Sequence, residues 1–194
     1  MSPRRAARTR STAETEVRVE LDLDGNGRVE ARTGVPFYDH LLGAFGRHSG
    51  LDLSVACEGD VAVDDHHSVE DVAMVLGGCL DEALGDRRGI ARFGSAYAPL
   101  DEALARAVVD LSGRPFAVVP WTWRRPQIGG MAMENVGHAL QTLATSARMC
   151  LHLDLLRGDN DHHRSEAAFK ALAVALRAAV RVRDDRVPST KEVL

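Results

Sequence analysis

The chain has 194 residues, 45% hydrophobic and 27% charged, enough apolar sequence to bury a core as one globular domain or two small ones and too much for a disordered chain. Its 24 Lys+Arg against 28 Asp+Glu give a formal charge of -4, which argues against holding nucleic acid by bulk charge and leaves a local anion site open. No apolar stretch reaches the ~18 residues that span a bilayer and the N-terminus shows no apolar signal core, so a soluble, cytoplasmic protein is expected. Cys57, Cys79 and Cys150, odd in number and set in apolar sequence, read as buried free thiols in such a compartment.

In chain order, residues 1–12 are Arg-rich and read as a flexible basic arm. Val17, Val19, Leu21 and Leu23 then alternate with charged residues, and Asp24-Gly25-Asn26-Gly27 is a turn signal with Val29 beyond it, which predicts a hairpin. Leu41, Leu42 and Phe45 have helical spacing around His40, Leu51 to Val55 is a short β-type run, and Val69 to Leu84 is a helix closed by Gly85. In the second half, Ala107 to Leu111 and Phe116 to Val119 read as strands flanking Ser112 to Pro115. Asp101 to Ala107 taken alone passes for helix by propensity. His138 lies among Leu140, Leu143 and Ala144 at helical spacing, Leu151 to Leu155 is a second β-type run, and Ala167 to Val182 is a further helix. The fold class is α+β, an internally duplicated unit of hairpin, helix, strand and helix, with helices on one face of each sheet. The expected division is 13–92 and 93–185 for the repeats and 186–194 for a C-terminal tail.

The repeat is most visible in Asp65-His66-His67-Ser68-Val69-Glu70 and Asp161-His162-His163-Arg164-Ser165-Glu166, two DHHxxE motifs whose histidines lie 96 residues apart. Each has a lone histidine upstream, His40 and His138, inside the preceding helix. Chance placement of eight histidines gives only roughly 0.3 adjacent pairs per chain, so two pairs with matching flanks are a strong signal. His48 and His152 lack such context and read as ordinary surface or core residues.

In a helix, His66 and Glu70 at i, i+4 and His67 and Glu70 at i, i+3 can share a face. Adjacent histidines cannot point the same way, so His66 and His67 are expected to serve different metal ions, as are His162 and His163. His40, His66, His67, His138, His162, His163, Glu70 and Glu166 give eight donors, or four for each of two ions. Four donors leave open positions on an octahedral ion, the mark of a catalytic site, and imidazole with carboxylate and no thiolate suits Mn, Fe, Ni or Zn.

Around these motifs the chain resembles the imidazoleglycerol-phosphate dehydratase family of histidine biosynthesis along nearly its whole length. The resemblance includes Thr33 to Leu42, Gly59-Asp60, the first DHHxxED through Asp71, Ala83 to Asp86, Gly89 to Gly94, Pro99 to Ala103, Asp110 to Pro115, Asn160 to Lys170 and Pro188 to Lys191. It implies a fold like ribosomal protein S5 domain 2, two divalent ions per active site, Mn2+ first among them, no organic cofactor, and a homo-oligomer of 24 subunits built from trimers with active sites at subunit contacts. It also implies the same eight metal ligands, a phosphate grip at Arg92, Arg114, Lys170, Ser189 and Lys191, and an acidic catalytic residue at Glu14. Lys170 and Lys191 are the chain's two lysines, and both fall at implied phosphate positions.

The implied chemistry is loss of water from an imidazole carrying a glycerol phosphate chain. Metal on a ring nitrogen would favour imidazolate, which can expel the adjacent hydroxyl to a diazafulvene-type intermediate. Proton loss from the next carbon, with Glu14 as acid/base, then gives an enol that ketonises. The chain departs from the family pattern at Ala44, Gly137 and Glu192, and the acid beside Lys191 is expected to weaken phosphate binding. The same ligand set would also serve a binuclear hydrolase, recognised by phosphate release, or a metal-held cage without turnover.

Overall fold

The computed structural model describes residues 4–120 and 122–191. The first half consists of β1 (Arg5–Ser11), β2 (Thr15–Asp22), β3 (Val29–Arg32), α1 (Pro36–Ser49), β4 (Asp52–Gly59) and α2 (His66–Leu84). The second consists of β5 (Phe93–Leu100), β6 (Ala103–Asp110), β7 (Phe116–Val118), the short pair β8 (Gln127–Ile128) and β9 (Met131–Ala132), α3 (Met133–Ser146), β10 (Cys150–Arg157) and α4 (Asp161–Ala179). The two larger sheets run β1-β2-β4-β3 and β5-β6-β10-β7, the same order. In each, the last pair is parallel and the others antiparallel. This is the α+β architecture of two like units that the patterning predicts.

Period-two patterning makes each sheet one-sided. Val17, Val19 and Leu21 of β2 are buried while Glu16, Arg18 and Glu20 face out. Helices cover the buried faces: α2 lies on β1 and β2, α4 on β5 and β6. Helices of opposite halves then pack on each other, α2 against α3 and α1 against α4, so both units share one continuous core. The α2–α3 contact depends on Gly77, where a Cβ would sit 2.7 Å from the Leu143 carbonyl oxygen. The α1 helix starts on Pro36, whose φ is preset for a first turn, and ends at Gly50, whose φ of 77° few other residues adopt. No helix among the described residues is long and apolar enough to cross a membrane.

Several expectations are corrected. Residues 5–11, read as a loose basic arm, form β1, paired with β2 from Arg5↔Asp22 to Ser11↔Glu16. Only Ala6 of this strand is buried, so no alternation announces it, and its arginines are held by acids: Arg5 by Asp22, Arg8 by Glu82 and Arg10 by Asp71. The Asp24 to Gly27 turn does not close a hairpin, because β4 lies between β2 and β3. Asp52 at the start of β4 accepts the Asn26 and Arg28 N–H groups at 2.8 and 3.0 Å, which folds the turn around β4. Likewise β6 and β7 are separated by β10, and the stretch from Ala103 is strand because Ala103, Ala105, Ala107 and Val109 all enter the core, overriding helix propensity. Both DHH helices also begin earlier than their apolar spacing shows, with the histidines in their first turns.

Candidate metal centres

The N-terminus of α2 is anchored to α3. Asp65 accepts the Ala132 N–H and the Asn135 side-chain N–H, each at 3.0 Å, and is buried. With its amide nitrogen so committed, Asn135 turns its oxygen to His66 Nδ1 at 3.1 Å, so His66 donates from Nδ1 and keeps the Nε2 lone pair free. His138, one turn further along α3, places Nε2 3.0 Å from Glu70, and the His66 and His138 rings stack at 4.8 Å between centroids. His66 Nε2 stands 3.9 Å from Glu70, so His66, Glu70 and His138 form one cluster of convergent donors.

A second cluster joins α4 to α1. His40 Nε2 lies 2.9 Å and His162 Nε2 3.3 Å from the same Glu166 oxygen, and the two rings are 5.1 Å apart. Phe37 packs against both rings. The Glu166 carboxylate is also bound by Lys170 at 2.6 Å. Burial would raise its pKa, but the bonds from Lys170 and His40 outweigh that and hold it at about 2. Each cluster therefore takes two donors from one DHHxxE helix and its third from the lone histidine of the other half. Sequence spacing, which groups each lone histidine with the motif of its own half, does not show this exchange.

His67 and His163 stand outside both clusters. His67 Nδ1 contacts Asp60 at 3.0 Å, and its Nε2 lies 3.7 Å from Glu14. His163 Nδ1 contacts Glu102 at 2.7 Å, and its Nε2 lies 3.9 Å from Asp101. The hydrogen bonds to Asp60 and Glu102 raise the pKa of the respective imidazoles. Glu102 is held at about 2 by His163 and by the Asn160 and Asp159 N–H groups. Asp60, Asp101, Glu102 and Asn135 were not singled out from sequence. The only signal for the three acids was membership of the segments Gly59-Asp60 and Pro99 to Ala103, and Asn135 had none.

Of the other candidate positions, Arg92 and the C-terminal tail are brought together. Arg92 is bound to Asp110 at 2.7 Å and donates to the Pro188 carbonyl at 2.8 Å, which sets the tail bearing Ser189 and Lys191 beside it. Arg114 is exposed, and Lys170 sits at the second cluster. Glu192 lies outside the described residues.

The imidazoleglycerol-phosphate dehydratase family model matches residues 33–176, a span that includes both clusters. The chain belongs to this family. A curated imidazoleglycerol-phosphate dehydratase from Salinibacter ruber is 55% identical over 195 residues, spanning 100% of this chain and 96% of that protein. Its Chlorobium luteolum counterpart is 52% identical over 193 residues, with the same two coverages, 100% and 96%. Among solved structures, imidazoleglycerol-phosphate dehydratase from Staphylococcus aureus aligns with a TM-score of 0.83 at 35% identity, covering 92% of this chain and 99% of that one. The Pyrococcus furiosus enzyme, in complex with (S)-C348, gives 0.83 at 36% identity, covering 96% and 100%. As a member of the family the chain is an enzyme of the hydro-lyase class.

Proposed function

We propose that the chain catalyses metal-dependent dehydration of D-erythro-imidazole-glycerol phosphate to imidazole-acetol phosphate in L-histidine biosynthesis, through imidazolate and diazafulvene-type forms of the substrate. The observation that carries this reading is the pair of like His–Glu–His clusters, each with donor atoms within 4.8 Å of one another. Imidazole and carboxylate without thiolate fit a divalent ion such as Mn2+, and three donors fall one short of the four expected for each of two ions. His67 and His163, which face away from the cluster of their own helix, supply that fourth donor from a neighbouring copy. When bound, the ions supply Lewis acidity that acidifies the ring N–H of the imidazole.

The protein's own groups do the rest. Glu14, exposed and 3.7 Å from His67 Nε2, acts as general base on the carbon next to the one that loses hydroxyl. Arg92 and the tail residues Ser189 and Lys191 grip the phosphate with Arg114 and Lys170, fixing the chain so that ring, hydroxyl and base stay aligned. A site that closes between copies is supported by the outer face of the second sheet, where Phe93, Tyr97 and Phe116 are each more than half exposed, an apolar surface suited to burial in a homo-oligomer such as the 24-subunit assembly of trimers.

The test is conversion of imidazole-glycerol phosphate by Mn2+-reconstituted protein, with Glu70→Ala and Lys191→Ala beside it. Ketone formation that disappears in Glu70→Ala and needs more substrate in Lys191→Ala is the expected result. Phosphate release without ketone would overturn the reading in favour of a hydrolase, and metal-dependent assembly with neither product would overturn it in favour of a cage.

A further inference from the structure

We propose that Asp60 and Glu102 are positioning residues that aim His67 and His163 at metal, and that the two halves have exchanged which acid does this. This rests on the reading of both histidines as ligands. Each Nδ1 faces a carboxylate, Asp60 at 3.0 Å and Glu102 at 2.7 Å. An ionised carboxylate only accepts, so the contact fixes the Nδ1–H tautomer, locks the ring and leaves the Nε2 lone pair for an ion. The negative charge behind the ring also raises its basicity as a donor.

The two acids come from different places in one topology. Glu14 and Glu102 are equivalent, each the residue before the second strand of its sheet, β2 or β6. Asp60 and Asp159 are equivalent as well, each following a glycine at the end of the strand that leads to the DHHxxE helix. A Cβ on Gly59 would strike Ser68 and one on Gly158 would strike Arg164, residues two positions after the first histidine of each motif. In the first half Asp60 takes Nδ1, and Glu14 is left beside Nε2 of the same ring. In the second half Glu102 takes Nδ1, and Asp159 turns away to Arg124 at 2.6 Å.

Loop length explains the exchange. Five residues separate Asp60 from His66 but only two separate Asp159 from His162. The short loop is spent on starting α4: Asn160 accepts the His162 N–H, and the Asp159 and Asn160 N–H groups go to Glu102. With Asp159 pinned there, the strand-turn acid is the one in reach of His163. The longer loop lets Asp60 fold back on His67, which frees Glu14 from that duty.

The experiment titrates chelator-stripped full-length protein with Mn2+, counting free ion by its EPR signal, in wild type, Asp60→Asn, Glu102→Gln, Glu14→Gln, Asp159→Asn, His67→Ala and His163→Ala. Asp60→Asn and Glu102→Gln are each expected to weaken Mn2+ binding about ten- to hundredfold in a metal-free protein that still folds, Glu102→Gln melting lower because its carboxyl is held at about 2. Glu14→Gln and Asp159→Asn are expected to bind Mn2+ as wild type does. Since the two acids serve different halves, either variant decides if the other fails to fold. Wild-type affinity in Asp60→Asn with binding lost in His67→Ala, or in Glu102→Gln with binding lost in His163→Ala, overturns the positioning role and leaves the ligand reading standing. Wild-type binding in His67→Ala overturns the ligand reading and this inference with it.

Discussion

Glu70 and Glu166 hold the same place in two like helices, yet their surroundings differ. Glu70 meets two imidazoles and is about a third exposed, whereas Glu166 is more buried and carries Lys170 one turn on, where the first half has Met74. The outer sheet faces differ in the same sense. Glu16, Arg18 and Glu20 line the first, and Phe93, Tyr97 and Phe116 the second. A shared backbone topology thus carries one cluster of plain donors and one with a built-in cation, and one sheet with charges on its outer face and one with exposed aromatic rings. The lesson is that topology sets where donors stand, while single side chains around them set charge and contacts.

The strongest way to break the comparison is to remove one carboxylate at a time. Glu70→Ala and Glu166→Ala are each expected to lower Mn2+ affinity by more than the about hundredfold that an outer partner costs. Atomic absorption after gel filtration should find one ion lost per chain in each; loss of both ions from either variant would show that the centres are not separable.

A second contrast lies in helix packing. Gly77 and Ala173 are equivalent positions of α2 and α4, and a Cβ at the glycine would meet the Leu143 carbonyl and the Ala147 nitrogen of the facing backbone. Gly77→Ala is expected to cost about 1–3 kcal/mol by overpacking against Leu143 and Ser146. Ala173→Gly loses a buried methyl as well as helix propensity and should cost about 1–2 kcal/mol. Urea unfolding of the metal-free protein measures both, and a Gly77→Ala protein as stable as wild type would refute the close α2–α3 approach.

Lys170→Met makes the second centre resemble the first. The Glu166 carboxyl is expected to titrate above about 2, since its strongest favourable partner is gone while burial, which raises it, remains. Carboxyl carbon NMR on the metal-free protein reads this directly, and an unmoved titration would assign the depression to His40 alone.

The smallest effect concerns Asp52, whose equivalent in the second sheet is Cys150. The Arg28 guanidinium and the Asn26 and Arg28 N–H groups hold the Asp52 carboxyl well below the usual carboxylate range. A carboxyl depressed on folding stabilises the native state above its unfolded pKa, and that contribution fades as pH falls below about 4. Asp52→Asn should therefore melt lower than wild type at pH 7, with the gap closing in acid. A gap independent of pH would remove the charge from the account.

Much of this was legible because it is local. Helical spacing around His40 and His138 marked α1 and α3, and the DHHxxE spacing put His66 with Glu70 and His162 with Glu166 on helix faces, as the structure has them. Period-two alternation marked β2 and the start of β4 but not their pairing, because a strand's own sequence says which face is buried and nothing about which strand it pairs with. Residues 5–11 escaped notice because an edge strand with one buried alanine has no alternation to read.

What the sequence determined by itself is the candidate donors, the α+β class and the resemblance that the family match bears out. These depend on residue types at short spacings and on patterns that a single helix or strand enforces. What only the tertiary structure decided is which donors meet. His40 joins His162 and Glu166, and His138 joins His66 and Glu70, because the helices of each half pack on those of the other and share one core. The orienting partners of His67 and His163 were decided in the same way, by a loop length and a turn that bring Asp60 and Glu102 within hydrogen-bond reach.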